Sequence, residues 1–100
     1  SKSKTNSSIY VDNNSILKWD LKNNVIQESD FSFLEDHEKL PELLLIGVGK
    51  KINEPFFNIR SKMSKLSIPV EIMSTSSACR TWNVLLSEGR NSLACIKNEY

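Results

Sequence analysis

Apolar positions change texture part-way along the chain. Before Pro41 they come in short clusters separated by Asn, Asp and Ser; after it they fall into strand-like runs and helix-like stripes. Ile9-Tyr10-Val11 is β-branched and aromatic, which predicts a strand. Asp12-Asn13-Asn14 is turn chemistry, and Ser15 to Trp19 reads as a second strand, so the pair predicts a hairpin. Lys22-Asn23-Asn24 marks another turn. Ser29 or Asp30 can cap a short helix from Phe31 to about Lys39, with Phe31, Leu34 and Glu38 at helical spacing.

The second part is more regular. Leu43-Leu44-Leu45-Ile46 is a continuous apolar run ending at Gly47, which predicts a strand buried on both faces. Pro55 suits the first turn of a helix. Phe56, Ile59, Met63 and Leu66 then form one apolar stripe, and Phe57 reads as core beside Phe56. Pro69 permits a strand only from that point on, and Val70-Glu71-Ile72-Met73 supplies it. Thr75 or Ser76 can cap the next helix, whose buried stripe is Ala78, Trp82, Leu85 and Leu86. Gly89 ends that helix, and Leu93-Ala94-Cys95-Ile96 is a closing strand. The order β–α–β–α–β predicts an α/β sheet with covering helices and right-handed crossovers between parallel neighbours.

Length and charge narrow the class. One hundred residues suit one domain. The polar stretch Ser1 to Ser8 reads as an extension or leader stub, with a single α/β domain over residues 9–100. The chain opens at Ser1 without an initiator methionine, which hints at a trimmed form or at a lost targeting peptide. Thirteen cations against twelve carboxylates argue against a polybasic arm or an acidic tail. No apolar run approaches the roughly 18 residues of a membrane-spanning helix. Cys79 and Cys95 read as thiols in a reducing compartment, and no Cys/His array suggests a metal site.

Several residues invite chemistry. Gly47-Val48-Gly49 ends a strand and precedes a helix, as a dinucleotide loop does, but no third glycine follows and the linker to Pro55 is long. A plain tight turn is preferred. Cys79 falls in the first turn of a helix beside Arg80, where a thiol is activated, yet the plainer reading is a small residue packed under the sheet. The one histidine, His37, sits in the acidic run Glu35-Asp36-His37-Glu38 and reads as solvated. Glu71, Glu88 and Arg90 read as ion-pair partners that fix Arg80 or Arg90. Lys50, Lys51, Arg60, Lys62 and Lys65 form a basic patch read as a solvated helix face, with RNA binding held back because no exposed aromatic is expected among them.

The run Leu43 to Lys50, then Ile68 to Thr75, then Ala78-Cys79-Arg80-Thr81-Trp82-Asn83-Val84-Leu85-Leu86-Ser87-Glu88-Gly89-Arg90 resembles a known family. It is the family of mitochondrial complex I assembly factor 3 and its adipogenesis-associated cytosolic relative, with small bacterial and archaeal members. The resemblance covers about half the chain, and the Ala78-to-Arg90 block is its most specific part. It implies a three-layer domain with a central mixed sheet flanked by helices. It also implies a non-catalytic protein-binding role in assembling a mitochondrial complex, in the matrix or on the matrix side of the inner membrane, with no cofactor and no metal. The positions it marks are Gly47, Gly49, Glu71, Thr75, Ala78, Cys79, Arg80, Thr81, Asn83, Glu88, Gly89 and Arg90. Many relatives carry an acid where Ser74 stands.

Three functional expectations follow. The first is the mitochondrial assembly factor, with protein subunits as partners and the cytosol as second location. The Lys- and Asn-rich composition suggests an AT-rich genome, and some such organisms lack complex I, so the mitochondrial ribosome is a further target. The second is a small anion-binding, nucleotide-binding or thiol enzyme centred on Gly47, Gly49, Cys79 and Arg80. The third is an RNA-associated factor using the lysine patch.

Overall fold

The computed structural model describes residues 8–12, 16–19, 26–36, 40–52 and 54–97. Eight elements follow in order. They are β1 (Ser8–Val11), β2 (Ile16–Trp19), a 3-10 helix (Glu28–Asp36), β3 (Leu43–Gly47), α1 (Phe57–Lys65), β4 (Val70–Met73), α2 (Thr75–Glu88) and β5 (Ser92–Ile96). The strands form one mixed sheet in the order β2-β1-β5-β3-β4. β1 runs antiparallel to both β2 and β5, whereas β3 runs parallel to β5 and to β4.

β3 lies inside the sheet, which explains its unbroken apolar run. Leu44 and Ile46 point to one face and Leu45 to the other, and all three are fully buried. On the first face Leu44, Ile46, Leu93 and Cys95 meet Ile59 and Met63 of α1 and Phe31 and Leu34 of the 3-10 helix. On the second face Leu45, Ala94, Ile96 and Val11 meet Ala78 and Leu85 of α2. The result is three layers. From β3 the chain steps one way to β4 through α1, then back across β3 to β5 through α2. Two crossovers of the same hand in opposite directions must place their helices on opposite faces, as found here.

Several expectations are corrected. Ser8 belongs to β1 and is buried, so it is not part of a polar extension. The helix expected from Phe31 is a 3-10 helix that begins at Glu28. Its three-residue repeat stacks Phe31 over Leu34, a spacing that an α-helix shares. Asp30 does not cap forward; its Oδ2 accepts from the Gln27 N–H at 2.7 Å. The Lys22–Asn24 turn, most of the Asp12–Asn14 turn, Ser15 and the expected helix end at 37–39 lie outside the described residues.

Pro55 is not in the first turn of α1. The helix begins at Phe57, after Phe56 in the left-handed region at φ 56°. Phe56 joins the Ile59 and Met63 stripe and is buried, whereas Phe57 turns out to solvent and is 74% exposed. The apolar pattern of the sequence alone predicts both rings in the core. The left-handed backbone at Phe56 sends its ring inward, and Phe57, the first helical residue, lies off the Ile59 and Met63 stripe. Leu86 departs in the same way. It lies about 80° round the helix from Ala78 and is exposed, whereas Leu85 is nearly in line with Ala78 and is buried.

Candidate functional site

The carboxyl ends of β3, β4 and β5 lie side by side. The loop after β3 leads to α1 on one face, and the loop after β4 leads to α2 on the other. Open α/β sheets commonly hold ligands at such a switch point. Here the tails are stitched together. Lys97 N–H donates to the Gly47 carbonyl at 2.9 Å, and Val48 N–H donates to the Met73 carbonyl at 2.9 Å. Thr75 stands at the centre. Its N–H donates to the Gly49 carbonyl at 2.7 Å, its hydroxyl donates to the Lys97 carbonyl at 2.6 Å, and its Oγ1 accepts from Gly49 N–H at 2.9 Å. One residue thus joins the ends of three parallel strands.

Both glycines serve this arrangement. A Cβ on Gly47 would lie 3.1 Å from the Ala78 Cβ and 3.1 Å from the Thr75 Cα, so α2 approaches the sheet through this gap. Gly49 has φ 106°, a backbone conformation that side chains strain. The N–H groups of Val48 and Gly49 already donate within the protein. A phosphate cradle needs such groups free, so nothing here favours the dinucleotide reading over the tight turn.

The cap of α2 is also corrected. Ser74, not Thr75 or Ser76, holds the N-cap position, and its Oγ accepts from Ser77 N–H at 3.3 Å. Four consecutive hydroxyl residues, Ser74 to Ser77, made the choice ambiguous from sequence. Thr75 is withdrawn from capping because its hydroxyl is drawn to the strand tails. Gly89 ends the helix with φ 73°, as expected.

Along α2, one face packs and the other is open. Ala78 and Leu85 are buried, and the Thr81 hydroxyl lies 3.4 Å from the Met73 sulfur on the β4 side. Cys79, Arg80, Asn83, Val84, Ser87 and Glu88 are exposed. Cys79 sits beyond the first turn and is not packed under the sheet, so both readings of its place are corrected. The Arg80 guanidinium donates to Ser77 Oγ at 3.2 Å, not to the exposed Glu71 on the edge strand. Arg90 and Glu88 approach at 3.8 Å with both side chains about half exposed, a pair that adds little stability. The positions Glu71, Cys79, Arg80, Asn83, Glu88 and Arg90 therefore share a solvent-facing character, while Gly47, Gly49 and Thr75 are internal framework. No group of three or more His, Cys, Asp or Glu side chains placed to hold a metal occurs among the described residues.

An open groove of about 840 Å³ lies elsewhere, between the 3-10 helix and the start of α1. Ile26, Gln27, Ser32, Glu54, Phe57 and Lys62 are among its walls. Sequence reasoning missed it because its two sides are about 30 residues apart.

Two predictions belong to this region. Thr75→Val keeps the shape but leaves the Gly49 N–H and the Lys97 carbonyl without their partner. It is expected to cost about 1–3 kcal/mol in chemical denaturation, with Thr75→Ser close to the parent. Equal stability of the valine variant would show that the stitch contributes nothing. The second prediction concerns the thiols. Cys95 is fully buried, and that burial pushes its pKa far above the ordinary range, whereas Cys79 is exposed. Iodoacetamide is expected to modify only Cys79 in the folded protein and both cysteines after denaturation, as read by intact mass.

Fold and site together define a small three-layer α/β domain with an internally bonded switch point and a polar, open helix face. The chain belongs to the family described as protein of unknown function DUF498/DUF598, which matches residues 1–96. It is 39% identical over 56 residues to the 13 kDa major membrane protein of Francisella tularensis subsp. holarctica, covering 56% of this chain and 45% of that protein. It is 34% identical over 84 residues to NADH dehydrogenase (ubiquinone) 1 alpha subcomplex assembly factor 3 of Drosophila melanogaster, covering 81% of this chain and 42% of that protein. The crystal structure of an outer membrane protein from Bartonella henselae has the same fold, with a TM-score of 0.79 and 30% identity over 92% of this chain and 78% of that one. The chain thus spans less than half the length of these two curated relatives.

Proposed function

We propose that this domain is a non-enzymatic, mitochondrial assembly factor that works by binding protein subunits through the outer face of α2. The observation that carries the reading is the division of labour within Ala78–Arg90. Folding uses Ala78, Leu85 and Gly89, and leaves Arg80, Asn83, Glu88 and Arg90 facing solvent. Val84, 56% exposed on the same helix, supplies an apolar anchor among them. Arg and apolar side chains within a polar surround are the usual makings of a protein interface. Similarity to relatives named as complex I assembly factors, over about three quarters or more of this chain in several cases, supports complex I as the first target.

The test is affinity capture of the tagged protein from its own cells, with mass spectrometry of what is recovered. Complex I subunits are expected with the parent and absent with a Val84→Glu, Asn83→Arg variant of unchanged melting temperature. Recovery of ribosomal proteins instead would redirect the target. Recovery of the protein alone would overturn the reading.

A further inference from the structure

The sheet ends at β2 on one side and at β4 on the other. The outer edge of β4 has backbone groups to offer. Leu44 N–H donates to the Pro69 carbonyl at 2.8 Å, and Val48 N–H donates to the Met73 carbonyl at 2.9 Å. Backbone groups alternate sides along a strand, so Pro69, Glu71 and Met73 turn theirs toward β3. Val70 and Ile72 therefore turn their N–H and carbonyl groups outward, and among the described residues no strand lies beyond them.

The side chains mark the same edge as open. β5 is buried at every position, whereas no residue of β4 is. Val70 and Ile72 lean toward the α1 face of the sheet and are only partly covered there. Glu71 alternates with them and shares the α2 face with Met73. It is exposed and has no ion pair among the described residues. The charged side chains of that face are engaged with one another or with α2 itself. Arg80 donates to Ser77 Oγ, and Arg90 approaches Glu88. The cations of α1 belong to the opposite face.

Glu71 argues against a second copy as the occupant. Two β4 edges paired about a twofold axis, with both outward residues used, set each Glu71 directly opposite the other. Like charges so placed are destabilising. The same geometry welcomes a strand of the opposite kind. We propose that the edge of β4 takes, as a sixth and antiparallel strand, an extended segment of a partner protein with a Lys or Arg flanked by apolar residues. The two apolar residues lie opposite Val70 and Ile72 and exchange both backbone hydrogen bonds with each. Their side chains fall on the α1 face and complete the cover of Val70 and Ile72. The cation lies opposite Glu71 on the α2 face. This inference rests on the protein-binding reading above and names the form of the bound segment. The α2 face invoked there adjoins the edge, since the Thr81 hydroxyl lies 3.4 Å from the Met73 sulfur.

The experiment is a titration of the isotope-labelled chain, followed by amide NMR, with the peptide acetyl-Ser-Val-Lys-Val-Ser-amide. Shifts are expected to centre on Val70 to Ile72, with slowed hydrogen exchange at the Val70 and Ile72 amides and no change on β2. Glu71→Lys, at an exposed site, is expected to keep the fold by circular dichroism and to weaken binding about 3- to 10-fold. That variant is expected to prefer the same peptide with Glu in place of Lys. N-methylation of both peptide valines removes two donors without touching the protein and is expected to abolish binding. The proposal is overturned by absence of shifts at millimolar peptide, by shifts centred elsewhere, or by binding indifferent to charge reversal or N-methylation. It is equally overturned if the chain alone self-associates and protects the Val70 and Ile72 amides. Capture of subunits from cells without peptide binding would overturn the edge proposal and leave the assembly reading standing. Peptide binding as expected with an empty capture would support the edge and overturn the assembly reading.

Discussion

Replacing Phe31 by alanine is expected to lower the unfolding free energy by about 3–5 kcal/mol. The side chain is fully buried on the 3-10 helix, and its ring centroid lies 5.3 Å from that of Trp19, with the planes inclined at 50°. Trp19 is itself anchored there, because its indole N–H donates to the Asp30 carbonyl at 3.2 Å. The loss therefore combines transfer of the ring, an unfilled cavity and a tryptophan left without its neighbour. A domain of this size is stable by about 5–15 kcal/mol, so the variant is expected to sit near the edge of folding. Urea denaturation followed by tryptophan fluorescence reads the midpoint, with Trp19 and Trp82 both contributing to the signal. Phe31→Leu fills much of the cavity and is expected to recover more than half of the loss. An alanine variant within about 1 kcal/mol of the parent would mean that the 3-10 helix does not contribute to the core as described.

Gly47→Val is expected to cost about 2–3 kcal/mol, by overpacking instead of by a cavity. A Cβ at this position already meets Ala78 and Thr75 at 3.1 Å and the Ile96 Cδ1 at 3.4 Å. Valine adds two methyl groups to that space. The Ile96 methyl can yield, but the Thr75 Cα is backbone and is held by the stitch of strand tails. Gly47→Ala asks only for a shift of a few tenths of an ångström, so it is expected to cost about 1 kcal/mol. Combining Gly47→Val with Ala78→Gly relieves one of the two close contacts and adds a helical glycine, itself worth about 1 kcal/mol of destabilisation. The double variant is expected to show coupling between the sites without full rescue. Simple additivity would place α2 farther from β3 than the structure does.

These two positions differ in how far the sequence foretold them. Gly47 was legible, because it closes an apolar run and precedes a helix, a place where backbone passes closely. Phe31 was legible as an apolar position but not in its helix type, since a three-residue spacing suits both an α-helix and a 3-10 helix. Strand β3 could be read directly. A central parallel strand is buried on both faces, and only an unbroken apolar run satisfies that. The start of α1 could not be read. Phe56 and Phe57 are the same residue type in adjacent places, and which ring turns inward depends on a left-handed backbone that no local signal announces.

By itself the sequence determined the alternation of strands and helices, the buried stripe of α1, the Ala78 contact with the sheet and the stop at Gly89. Each follows from side-chain periodicity or from backbone freedom within a few residues. The family resemblance of the Ala78–Arg90 block was equally present in the residues alone. The tertiary structure decided the rest. Thr75 lies 26 residues from Gly49 and 22 from Lys97, yet its hydroxyl bonds to both, and Ser74 becomes the cap as a consequence. Phe57 stands exposed while Phe56 is buried, because the left-handed backbone at Phe56 turns that ring inward just before the helix starts. Such contacts depend on which strands lie side by side, and chain connectivity sets that only after the whole sheet has formed.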